Sequence, residues 1–118
     1  MSRIFVYGTL KRGGKAHDLL ERYNARFLNE AVTDPRYHLR NLGSFPGMVE
    51  DELFEGGVHG EVYEVRKACL EALDFYEGAP HLFRGEKIIL SDGSTAIAYL
   101  YMQDFSDCPR VEEGTWVI

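Results

Sequence analysis

Glu77 is a carboxylate placed where ionisation is disfavoured. The segment KACLEALDFY, residues 67–76, has the periodicity of an amphipathic helix, and Leu70, Leu73 and Glu77 fall on one face of it. Gly78 and Pro80 then stop the helix, because glycine accepts the left-handed closing turn and proline cannot continue a helix. Glu77 therefore lies in the last turn, beside unpaired carbonyls at the negative end of the helix dipole and close to Asp74. Burial, the dipole and Asp74 would each disfavour the charged form and raise the pKa toward the range useful for proton transfer. The same residues also fit a solvated carboxylate at a frayed helix end, and spacing alone does not choose between the two.

A second candidate is the turn Tyr7, Gly8, Thr9 and Leu10, which follows the strand-like run RIFVY at residues 3–7. Successive backbone N–H groups after a strand that ends in glycine can point into one concavity and hold a carboxylate or a developing oxyanion. An ordinary tight connection that needs Gly8 for its backbone angles explains the same residues. The stretch from Gly8 to Lys15 is not a nucleotide loop. Gly14 follows Gly13 where a phosphate-bridging lysine is required, and Lys15 is followed by Ala16, so neither that lysine nor a magnesium-binding hydroxyl is in register.

Other chemistries have little support. His17, His38, His59 and His81 form no ligand pair at helical or turn spacing, so no metal site is expected. No nucleophile-elbow pattern occurs. Cys69 and Cys108 have no motif spacing, Cys69 reads as a small buried hydrophobe, and a disulfide framework is not expected. Acidic residues outnumber basic ones by 19 to 13, for a formal charge of −6, and no basic run is present, which disfavours nucleic acid. No apolar stretch reaches membrane-spanning length and no signal peptide is evident, so a cytoplasmic protein is expected.

The elements that must position these residues are short. The 118 residues fit one domain, 1–118, with no linker or low-complexity segment. A helix is expected over residues 16–23 and another over 67–76. Strands are expected over 3–7, 25–33, 37–42, 57–65, 86–90 and 95–102, with Asp92, Gly93 and Ser94 turning between the last two. Ile97, Tyr99 and Tyr101 alternate with Ala98, Leu100 and Met102, so both faces of that strand are apolar, as in a central strand. The fold class is α+β, a small closed or partly closed β-barrel flanked by short helices. Val62, Val65, Tyr99 and Leu100 should be buried, with Leu70 and Leu73 sealing one side.

Five blocks in order, VYGTL at residues 6–10, FPGMV at 45–49, VHGEVY at 58–63, LDFYEGAP at 73–80 and GTW at 114–116, resemble the gamma-glutamylcyclotransferase-like family, most of all its compact gamma-glutamylamine cyclotransferase branch. The first and fourth blocks are the specific ones. The resemblance implies a pocket between the turn of the first strand and Glu77. It implies intramolecular cyclisation of a gamma-glutamyl amine or peptide to 5-oxoproline with release of the amine, an acyltransferase or lyase type of reaction. Glu77 would be catalytic, Tyr7, Gly8, Thr9 and Leu10 substrate-binding, and no cofactor or metal would be needed. The partner would be a small gamma-glutamyl molecule. The alternative is a non-catalytic member that binds a small ligand on the same fold. Two departures stand out: Phe83 precedes Arg84 where the family often has tyrosine, and Thr9 replaces the commoner serine. Trp116 is read as a sealing residue.

Overall fold

The computed structural model describes residues 1–51 and 56–118. Its first strand, β1 (Ser2–Val6), carries apolar side chains on both faces, and β1 is accordingly internal to the sheet. One edge of β1 pairs antiparallel with β5 (His59–Val65), from Ser2 opposite Val65 to Val6 opposite Glu61. The other edge meets β7 (Thr95–Tyr101) in parallel at Ile4 and Ile97. With β2 (Arg26–Val32), β3 (Tyr37–Asn41) and β4 (Pro46–Glu50), the strand order is β2-β5-β1-β7-β4-β3, and β6 (Phe83–Ile89) pairs with β7 off this path. Two helices, α1 (His17–Arg22) and α2 (Lys67–Tyr76), lie between strands, and a short 3-10 turn, Glu112–Gly114, comes near the end.

The doubly apolar strand is central, as its alternation requires. One edge of β7 runs along β6 over its whole length, from Thr95 opposite Ile89 to Tyr101 opposite Phe83. Its other edge is divided between β1, which pairs at Ile97, and β4, which pairs at Leu100. Tyr7 follows β1 into the opening where those two strands part. Its hydroxyl donates to the Tyr99 carbonyl at 2.6 Å and accepts the Met48 N–H at 3.1 Å, so main-chain groups that the divergence would leave bare are satisfied by one phenol.

The alternation of β1 splits the core into two clusters. Ile4 and Val6 pack with Leu20 of α1, Cys69 and Leu73 of α2, Tyr63, Val65 and Tyr99. Phe5 and Tyr7 face the other way, onto Leu39, Met48, Val62, Ile88 and Ala98, contributed by five further strands. The sheet therefore curls around the second cluster while the helices cover the first. Of the residues expected inside, Val62, Val65, Tyr99 and Leu73 are buried, whereas Leu100 and Leu70 are only partly so.

Several expectations need correction. The sheet is not closed into a barrel: its path ends at β2 and β3, and β2 approaches β6 only at the rim, through the single Thr33 and Leu90 bridge. Strand β4 is not among the expected strands, and its Pro46 and Gly47 are residues that weaken a strand pattern. Proline is tolerated there as the first residue of the strand. Gly47 is a packing requirement, since a Cβ would come within 2.9 Å of the Tyr101 Cβ. β6 begins at Phe83 rather than at residue 86. The Asp92 turn is as read, with Gly93 at φ 88° and the Ser94 N–H on the Asp92 carboxylate at 2.9 Å.

Candidate functional site

The end of β1, the loop entering β4 and the end of α2 converge on a cavity of about 310 Å³. Tyr7, Gly8, Thr9 and Leu10 all border it, and so does Glu77. Residues some seventy positions apart in sequence, read separately as a proton-transfer group and an anion-holding turn, thus share one space.

Glu77 reaches the cavity because α2 stops where Gly78 and Pro80 require. Gly78 takes φ 66°, the Glu77 N–H bonds to the Leu73 carbonyl at 2.8 Å, and the Ala79 N–H bonds to the Asp74 carbonyl at 2.9 Å. Leu73 is fully buried, and Glu77, one turn later on the same face, is drawn inward with it. The carboxyl is half-buried, and no donor among the described residues bonds to it. Burial pushes its pKa up to about 7. Asp74 does not contribute in the expected way. It accepts the Tyr99 hydroxyl at 2.6 Å, and burial is the cause of the shift.

The turn is anchored through its carbonyls. The Lys11 N–H bonds to the Gly8 carbonyl and the Ala16 N–H to the Thr9 carbonyl, each at 3.0 Å, while the Leu10 carbonyl lies 2.9 Å from His17 Nδ1. Among the described residues no acceptor meets the N–H groups of residues 8, 9 and 10. Three consecutive unpaired donors bordering a cavity favour a negatively charged guest. Gly8 is not required for a left-handed backbone, since it is absent from the positive-φ glycines. It is required by proximity: a Cβ there would stand 2.7 Å from Pro46 Cγ.

Tyr7 contributes its ring and position rather than a free hydroxyl. Burial first, and the nearby Glu77 charge second, push its pKa well above the ordinary phenol value, so it stays protonated in its two structural hydrogen bonds. The Leu10 side chain is buried in the helix-covered cluster.

Sequence reasoning did not place Tyr76, Tyr99, Lys15 or Ser44 beside this cavity. Tyr76 could have been suspected as the neighbour of Glu77, and Tyr99 from its inward register on a central strand; Lys15 and Ser44 gave no periodic signal. Phe83 is buried at the cavity edge, with ring centroids 6.3 Å from Phe45 and 5.4 Å from Tyr101, so the position of the missing hydroxyl is an aromatic wall. Trp116 lies away from this cavity and packs on the strand-wrapped cluster, while its carbonyl accepts Lys11 Nζ at 2.8 Å. Among the described residues no group of three or more His, Cys, Asp or Glu side chains is placed to hold a metal ion, and no helix is long and apolar enough to cross a membrane.

Comparison with known proteins converges on one family. A protein of Vibrio cholerae, named only provisionally as a gamma-glutamylcyclotransferase, is 36% identical over 113 residues, covering 96% of this chain and 93% of its own. The gamma-glutamylcyclotransferase family protein YtfP of Escherichia coli K12 is 34% identical over 98% of this chain and 96% of its own. The crystal structure of an AIG2-like protein of Mus musculus superposes with a TM-score of 0.81 at 27% identity, covering 96% of this chain and 87% of that one. Residues 4–117 match the family described as gamma-glutamyl cyclotransferase, AIG2-like, and with a cavity that unites its first block with Glu77, this chain belongs to that family.

Proposed function

We propose that the protein cyclises a gamma-glutamyl amine or gamma-glutamyl peptide to 5-oxoproline and releases the amine. The α-amine nitrogen of the substrate attacks its own γ-carbonyl carbon. A carbon–nitrogen bond closes the five-membered ring, and the bond to the departing amine breaks. Because the nucleophile belongs to the substrate, the protein has to hold amine and carbonyl within attacking distance, move one proton and steady the oxyanion. No cofactor enters the step.

Glu77 is the proton carrier in this reading: it accepts a proton from the attacking nitrogen and returns it to the leaving nitrogen. A carboxyl with a pKa of about 7 is suited to both transfers near neutral pH. The backbone N–H groups of residues 8–10 receive a substrate carboxylate or the developing oxyanion. Tyr7, Gly8, Thr9 and Leu10 thereby form the substrate-binding turn.

The observation that carries the proposal is that Glu77, half-buried with no donor on its carboxyl, borders the same cavity as three consecutive unpaired backbone amides. A screen of gamma-glutamyl amines, gamma-glutamyl dipeptides and glutathione for 5-oxoproline release tests it. At least one class should turn over, and Glu77→Gln should lower that turnover by about two to four orders of magnitude while ligand binding persists. A wild-type protein that binds 5-oxoproline but turns over nothing would instead identify a ligand-binding member of the fold. Full activity in Glu77→Gln would remove the glutamate from the mechanism.

A further inference from the structure

Glu61 is a buried carboxylate that the cyclisation leaves unused. It lies on β5 in the same register as Tyr63 and Val65 and is 8% exposed. A carboxylate at that depth persists only where donors replace water. Three do so. The Arg12 main-chain N–H and the Tyr63 hydroxyl each reach Oε1 at 3.0 Å, and Arg12 Nε lies 3.4 Å from Oε2.

The place of Glu61 in the topology gives these contacts their meaning. Its backbone stands opposite Val6, the last residue of β1, while its side chain holds Arg12. A single residue thus grips the chain on both sides of residues 7–11, which contain the cavity turn. The approach is close: a Cβ on the neighbouring Gly60 would stand 2.4 Å from the Val6 carbonyl oxygen. Arg12 is kept in place from its other side too, with its guanidinium 4.1 Å from the centroid of the Phe27 ring, which meets Tyr63 edge-on at 5.6 Å.

The two contacts to Arg12 differ in weight. The Arg12 side chain is half-exposed, and the Nε contact is long, so screening by water leaves it little influence. The main-chain bond is short, partly buried and fixes the backbone itself.

We propose that Glu61 is a positioning residue. By pairing with Val6 through its backbone and holding the Arg12 N–H with its carboxylate, it closes the base of the turn and sets the direction of the amides that receive substrate. The proposal rests on the assignment of that turn to ligand binding made above.

Calorimetric titration with 5-oxoproline, which gives the dissociation constant and the stoichiometry separately, tests it on the intact protein. Glu61→Gln keeps an acceptor oxygen but loses its charge, and should weaken binding by about threefold; Glu61→Ala removes the acceptor and should weaken it about tenfold or more. Arg12→Ala keeps the main-chain donor and should stay within about twofold of wild type. KM for a gamma-glutamyl amide should rise in step with the dissociation constant. A merely structural glutamate would lower the melting temperature or the stoichiometry and leave the affinity of the folded molecules unchanged, and that result overturns the proposal. Should Glu61→Ala fail to fold, Glu61→Gln decides alone, an unchanged affinity being the refutation. A wild type that neither binds 5-oxoproline nor turns over refutes the functional reading and this proposal with it, whereas a wild type that binds, with variants that bind equally well, refutes only the role of Glu61.

Discussion

Replacing Glu77 by glutamine should make the protein more stable, and by an amount that grows with pH. Burial moves the carboxyl from its ordinary 4.5 to about 7 in the folded chain. Between those values the folded state holds a proton that the unfolded state has released. The sign follows from linkage: with fewer protons on the unfolded chain, unfolding becomes easier as pH rises through this window, and the loss levels off above about 7. At about 1.4 kcal/mol per pH unit the full displacement amounts to about 3 kcal/mol, an upper bound because the group is only half-buried. Glutamine has the same shape and no charge, so it escapes the penalty. Urea unfolding of both proteins at intervals from about pH 4 to pH 8 isolates the effect, because every other titrating group is common to the pair and cancels. The two should agree in stability near pH 4, and the variant should gain steadily until about pH 7. A difference that stays flat across the range, or is largest in acid, would show that Glu77 is not held against ionisation and would remove the basis for its role as proton carrier.

Two further outcomes concern the turn. Tyr7→Phe removes the phenol that joins the Tyr99 carbonyl to the Met48 N–H; with a buried amide left unpaired, unfolding free energy should fall by about 1–3 kcal/mol in urea, and an unchanged midpoint would contradict the bridging role. Gly8→Ala puts a methyl 2.7 Å from Pro46 Cγ, so turn and proline must separate. It should cost about 1–3 kcal/mol and abolish measurable 5-oxoproline binding in calorimetry, whereas wild-type affinity in this variant would refute the reading of residues 8–10 as the anion-holding amides.

What could be read in the sequence depended on how local its cause was. The last-turn position of Glu77 was legible because a helical period, a closing glycine and a proline all act within a few residues of it, whereas the enclosure of its carboxyl was not. The central position of β7 was legible because alternation records both of its faces. The sheet's failure to close was not, since closure depends on how far two edges approach, and β2 meets β6 at one residue pair. Strand β4 was hidden for a different reason: its proline and glycine are punctuation in isolation and become strand residues only beside Gly8 and Tyr101, which lie far away in sequence.

Glu61 shows the same limit at a site residue. Along β5 each face carries one carboxylate, Glu61 with Tyr63 and Val65, and Glu64 with Gly60 and Val62. Alternation therefore cannot say which of the two is enclosed. The deciding fact is Arg12, 49 positions earlier, whose main-chain N–H needs an acceptor as the chain turns back from the cavity. Glu64 instead meets the exposed Arg26 side chain at 3.1 Å, in an ion pair that water can screen. Two glutamates on one strand thus carry different constraints: the contact of Glu64 can be lost with little consequence, while that of Glu61 fixes main chain at the base of the cavity turn.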